Sequence, residues 1–174
     1  MKRAFSSLTP QEALHVAIFI EERNAELYRD FSELFAEFKD PDSLEVAQVF
    51  WDMANEELSH GSRLQELYFE RYGTQACVVT EEDIREMIEV PRLGESDLLA
   101  VTRGALSPRR AALQVALDAE KTAQRYYLQL RDKTQDRALR SIYAELASFE
   151  ADHTSLLERK LEEARRAVRG GEAA

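Results

Sequence analysis

The chain has 174 residues, with 33 acidic and 23 basic side chains and a formal net charge of −10. That length suits a single domain over 1–174 that can bury a core without disulfides, and the acidic balance argues against nucleic acid or an anionic membrane surface as a partner. The one cysteine, Cys77, excludes an internal disulfide, a four-cysteine metal site and a CxxC redox pair, and without a secretory signal or a spanning apolar run the expected location is the cytoplasm.

Glycine and proline are few and clustered, so they punctuate the chain clearly. Thr9-Pro10-Gln11-Glu12 reads as a helix start, with Thr9 as cap, Pro10 at the first helical position and Glu12 closing a capping box. The first helix should cover about 10–39, up to Asp40-Pro41-Asp42, which also starts the second over about 42–72. Gly73 supplies its left-handed stop. Ser107-Pro108 begins a third helix to about 133, and Thr134-Gln135-Asp136 turns the chain into a fourth over about 136–168, stopped by Gly170-Gly171. Residues 73–107 hold Pro91, Gly94, Gly104 and a short helical patch from Thr80 to Met87. A link of that length between two tight hairpins predicts an all-α, ferritin-like antiparallel four-helix bundle with a long crossover between helices two and three.

The two hairpins resemble each other. Residues 13–28 read ALHVAIFIEERNAELY and residues 112–127 read ALQVALDAEKTAQRYY. Aligned without gaps they share Ala13/Ala112, Leu14/Leu113, Val16/Val115, Ala17/Ala116, Glu21/Glu120 and Tyr28/Tyr127.

Each helix carries acid on the stripe it should bury. In the first, Leu14, Ala17 and Ile18 lead to Glu21 and then Ala25, Tyr28, Phe31, Phe35 and Phe38; in the third, Leu113, Ala116 and Leu117 lead to Glu120 and then Ala123, Tyr127 and Leu130. In the second and fourth the stripe is interrupted by Glu57-Leu-Ser-His60 and Glu150-Ala-Asp-His153. At i, i+3 both side chains of such a pair leave one face about a turn apart. Four carboxylates and two imidazoles therefore point into one core, where each unpaired ion would cost several kcal/mol. The stripes contain no lysine or arginine at these levels, whereas two divalent cations would balance four carboxylates. Oxygen and imidazole donors suit iron or manganese, zinc less so, and disfavour Cu(I). One Glu from each of two helices plus Glu-x-x-His from each of the other two is the di-iron or di-manganese carboxylate pattern. Glu12-Ala-Leu-His15 repeats the spacing, but Glu12 is claimed by the capping box, His15 lies beside Phe19 and Glu22 off the Glu21 face, and the second repeat has Ala111 and Gln114 in those places.

The four segments resemble the rubrerythrin and ferritin-like superfamily. IEERNAELY and AEKTAQRYY are similar to its helix A and C ligand segments, and NEELSHGSRL and FEADHTSLL to those of helices B and D. The resemblance implies Glu21, Glu57 and His60 as metal ligands from the first half and Glu120, Glu150 and His153 from the second, with Glu57 and Glu150 bridging. It implies Tyr28 and Tyr127 as hydrogen-bond partners of the carboxylates. It also implies two iron ions, with manganese or zinc as alternatives, Fe(II) with O2 or peroxide as reactants, and ferroxidase or O2/peroxide-reducing oxidoreductase activity. An iron-storage subunit without turnover and a metal-stabilised structural bundle are the other readings.

Three departures accompany the resemblance. The four cysteines of a rubredoxin domain are missing, which implies a separate electron donor or the iron substrate itself as source of electrons. Ala123 stands where rubrerythrins carry an extra Glu, and Leu58 where bacterioferritin carries a haem-ligating Met. Of the remaining residues, Met53 reads as core, Trp51 as packing or an interface anchor, and Cys77 as an inert thiol. Phe5, Phe31, Phe35 and Phe38 are candidates for the contact of a homodimer or higher homo-oligomer.

Overall fold

The computed structural model describes residues 8–74, 79 and 107–171, with side chains described as far as 166. Four helices hold most of them: α1 Pro10–Phe38, α2 Pro41–Tyr72, α3 Pro108–Lys133 and α4 Arg137–Gly171. Cys77, Phe5 and almost all of the expected crossover, including the patch from Thr80 to Met87, lie outside the described residues.

The starts follow from local chemistry. Thr9 Oγ1 accepts from the Glu12 amide (3.2 Å) while Glu12 Oε2 accepts from the Thr9 amide (2.8 Å), a closed capping box. Asp40 Oδ1 accepts from Ser43 N (2.9 Å) and Ser107 Oγ from Arg110 N (3.3 Å), each followed by proline in the first turn. Asp136 Oδ1 takes two orphan amides at the start of α4, Ala138 N at 2.8 Å and Leu139 N at 3.1 Å. The ends are less regular. Gly73 has φ 60° and returns its amide to Phe69 O (2.8 Å), but its ψ of −136° lies outside the left-handed helical region expected of it, in a region open to glycine. α1 instead stops at Lys39, with φ 57° in the left-handed region and no glycine to signal it. Gly170 and Gly171, expected to stop the last helix near 168, lie inside its final turn. A glycine costs a helix only about 1 kcal/mol and does not by itself break it.

Cross-helix bonds set the directions. Tight links at Lys39-Asp40 and Thr134–Asp136 make α1/α2 and α3/α4 antiparallel hairpins. Tyr126 of α3 donates to Ala13 O near the start of α1 (3.0 Å), while Tyr28 further along α1 reaches the earlier Glu120 of α3 (2.5 Å), so these helices also run oppositely. Arg63–Glu145 (2.9 Å) and Lys160–Glu45 (2.5 Å) do the same for α2 and α4. Helices α2 and α3 are therefore parallel, and the end of one and the start of the other fall at opposite ends of the bundle, the ferritin-like arrangement.

The interior is two apolar clusters. One gathers Leu14, Ile18, Leu64, Tyr126, Tyr127, Leu130, Tyr143 and Leu146. The other gathers Tyr28, Phe31, Phe35, Phe50, Met53, Leu113, Leu117 and Leu157. Phe31 and Phe35 are buried here, against Phe50, and so serve the core of the chain rather than a contact between copies. Phe38, expected on the buried stripe, is 53% exposed because α1 ends beside it. Trp51 is 49% exposed on α2, away from both clusters.

Phe50 and Trp51 are neighbours in sequence, about 100° apart around one helix, the first buried and the second exposed. Phe50→Ala should cost about 3–5 kcal/mol through the cavity it leaves, and Trp51→Ala less than about 0.5 kcal/mol. Urea unfolding of the metal-free protein measures both, and equal losses would contradict the assigned faces.

Candidate metal centre

Between the two apolar clusters lies one polar layer. Glu21, Glu57, Glu120 and Glu150 are all completely buried, and His153 is 5% exposed. Each helix supplies its part at the middle of its length, where the flanking turns are already packed and no terminus lets water in.

These side chains form two groups of potential donors. Glu21, Glu57, His60 and Glu150 offer one set of ligand atoms that all lie within 4.8 Å of one another, and Glu57, Glu120, Glu150 and His153 offer the other. Glu57 and Glu150 belong to both. All six side chains expected from the sequence are thus brought together. Glu12 and His15 take no part: Glu12 closes the cap, and the His15 ring sits 6.1 Å from that of Tyr68.

The tyrosines reach across the halves. Tyr28 of α1 donates to Glu120 Oε1 of α3 (2.5 Å), and Tyr127 of α3 donates to Glu21 Oε1 of α1. Each hydroxyl comes from a different apolar cluster and leaves the second oxygen, Glu120 Oε2 or Glu21 Oε2, buried without a hydrogen bond. Both oxygens of Glu57 and of Glu150 are equally unsatisfied, as are His60 Nδ1 and His153 Nδ1. Such atoms are rare in native interiors, and each costs about 1–3 kcal/mol or more when charged. Eight of them facing one another form a donor set with the composition a pair of divalent cations needs, so the residues fit the group.

Two neighbours of the histidines were not legible in the sequence. Glu56, one residue before Glu57, places Oε2 at 2.8 Å from His153 Nε2. At the matching place in α4, Phe149 stacks on His60 with ring centroids 4.7 Å apart. Acids adjacent to a core Glu are common on an exposed face, so only the cross-helix geometry distinguishes Glu56. Asn24, one turn beyond Glu21, is also buried, with Nδ2 unbonded.

Burial and crowding set the protonation of the layer. Burial pushes the carboxyls of Glu57 and Glu150 well above the usual range, and the carboxylates around them push further. For Glu120 burial acts in the same direction, but Glu150, the His153 ring and Tyr28 beside it outweigh that and hold it below the usual value. Burial disfavours the charge on His153, yet Glu120 and Glu57 outweigh it and raise the ring to about 11. Tyr28 and Tyr127 are raised well above 10, first by burial and then by the carboxylates, so both stay donors.

The sign of the pH dependence follows. Glu57, Glu150 and His153 all have folded values above their ordinary ones, so the stability they support is present at low pH and lost as pH rises. For His153 the loss runs from its ordinary 6.5 up through about 11. The Tm of the metal-free protein should fall between about pH 6.5 and about pH 9.5. Metal uptake must displace the same protons, so affinity should rise over that range and binding should release protons into the buffer. Scanning calorimetry and titration calorimetry in buffers of different ionisation heat read the two effects; a metal-free Tm that climbs with pH would contradict the assignment.

The comparisons agree with this geometry. The family profile described as Rubrerythrin matches residues 12–99, which includes α1 from Glu12 onward and all of α2. An uncharacterised conserved protein from Magnetospirillum magnetotacticum, known from its crystal structure, superposes with a TM-score of 0.69 at 23% identity, over 90% of this chain and 95% of that one. At that identity the likeness establishes the fold. No curated protein matches significantly. The matched segment holds Glu21, Glu57 and His60, and the remaining hairpin completes the same bundle and the same polar layer: the chain belongs to the rubrerythrin family.

Proposed function

We propose that the protein is a non-haem di-iron carboxylate protein that acts as a ferroxidase or as an O2/peroxide-reducing oxidoreductase of rubrerythrin type. The observation that carries this reading is the pair of four-donor groups sharing Glu57 and Glu150, with all four carboxylates fully buried. Glu21 and His60 would complete one ion's ligands and Glu120 and His153 the other's. Oxygen and imidazole donors with no thiolate favour iron or manganese. Two iron ions held there would supply two electrons to O2 or peroxide as Fe(II) becomes Fe(III).

The chain's own part is to hold and to exclude. Tyr28 and Tyr127 fix one oxygen of Glu120 and Glu21, which leaves the other oriented toward the centre. No tyrosine or backbone amide fixes either oxygen of Glu57 or Glu150, whose near neighbours are the His153 ring and the other carboxyls, so both would be free to change how they share two ions as the charge changes. The apolar clusters on both sides keep bulk water from the centre and strengthen every charge interaction inside it. No described helix is long and apolar enough to cross a membrane. A cytoplasmic setting, with electrons from a separate donor or from Fe(II) as substrate, completes the proposal.

Anaerobic loading should give two Fe(II) per chain, and stopped-flow mixing with O2 or peroxide should oxidise them rapidly; the faster oxidant identifies the reaction. Slow oxidation by both would reduce the centre to a structural metal site. Glu57→Gln and Glu150→Gln should each lose two-metal binding; at about pH 8 the metal-free Tm should stay level or rise for Glu150→Gln, because an amide needs none of the proton uptake that burial imposes on this carboxyl, and fall for Glu57→Gln, which takes a partner from the His153 ring. A variant that still bound two ions would sink the bridging assignment.

A further inference from the structure

The two donor groups match in composition but differ one layer out. His153 presents Nδ1 to the centre, 3.1 Å from Glu57 Oε1 and 3.5 Å from Glu120 Oε1, while its Nε2 meets Glu56 Oε2 at 2.8 Å. His60 presents Nδ1 to Glu21 Oε2 at 3.3 Å. Its ring is stacked on Phe149, a side chain that cannot accept a hydrogen bond. Glu145 of α4 is close enough to feel a charge on His60, but Arg63 binds it at 2.9 Å. Among the described residues, then, the outer nitrogen of His153 meets a carboxylate, whereas no side chain bonds the outer nitrogen of His60, whose ring is held across its face by Phe149.

We infer that Glu56 is a positioning residue that makes the two metal sites unequal, so that the site of Glu120 and His153 binds its ion more tightly and fills first. The inference rests on the two-metal reading proposed above. A carboxylate accepting from the outer nitrogen fixes the tautomer with Nδ1 free to ligate, holds the ring against rotation and raises the ligand's basicity. Phe149 holds the His60 ring by stacking alone and adds no basicity. Loss of an outer partner of this kind costs about 10–100-fold in affinity. The Glu56 side chain is 59% exposed, so water competes for it, and the lower end, about tenfold, applies.

Anaerobic titration of the full chain with Co(II), followed by its visible ligand-field bands and by calorimetry, tests this without turnover. The wild-type protein should show two separated steps, the tighter removed by His153→Ala and the weaker by His60→Ala. Glu56→Ala should weaken the tighter step about tenfold and leave the other within about twofold, with Glu56→Gln, which keeps an acceptor but not the charge, in between. Glu56 is exposed, so these variants should fold, and an unchanged far-UV dichroism verifies it. Two equal steps in the wild-type protein, a Glu56→Ala effect on both steps alike or on the weaker one alone, or no effect would overturn the role of Glu56 and leave the paired site intact. Fewer than two Co(II) bound by the wild-type chain would overturn the paired site, and this inference with it.

Discussion

Four fully buried carboxylates in one layer of an apolar bundle are the constraint to which the rest of the structure answers. Among the described residues, the groups that act on Glu57, Glu120 and Glu150 are other carboxyls, Tyr28 and His153, not lysine or arginine. Left to itself this layer keeps protons on Glu57 and Glu150 and a charge on His153, at a cost of several kcal/mol that ordinary core residues would not incur. A chain built only for stability would place leucine at these positions.

The surroundings can carry that cost because they are dense on both sides. Long helices put three or more turns of Leu, Phe, Tyr and Ala beyond the layer in each direction, and two of the largest fully buried side chains, Tyr28 and Tyr127, reach into it. The same packing gives the centre its chemistry, since a dry site strengthens charge interactions and holds each donor in one rotamer. The surface ion pairs, such as Arg63–Glu145 and Lys160–Glu45, add little energy; they fix the register of α2 against α4.

Much of this was legible in the sequence. The stripe of each helix broken by a glutamate, and Glu-x-x-His on alternate helices, were sufficient to find all six candidate ligands, because i, i+3 spacing fixes the face without knowledge of the partner helix. The helix starts at Thr9, Asp40 and Ser107 were readable from capping chemistry. The left-handed stop at Lys39 was not, since lysine carries no signal for it, nor was the continuation of α4 through Gly170, where a weak propensity is overridden. The crossing of Tyr28 to Glu120 and Tyr127 to Glu21 needed the relative position of α1 and α3, which depends on the packing of both halves. Glu56 and Phe149 were hidden for the same reason: their roles exist only between α2 and α4.

The most direct measurement is anomalous diffraction at the iron edge from crystals of the iron-loaded protein. It should show two peaks about 3.5–4 Å apart, both in contact with Glu57 and Glu150 and each with one of His60 and His153. A single peak, no peak in the layer, or a peak held by Glu12 and His15 would contradict the assignment of a paired metal centre to these six side chains.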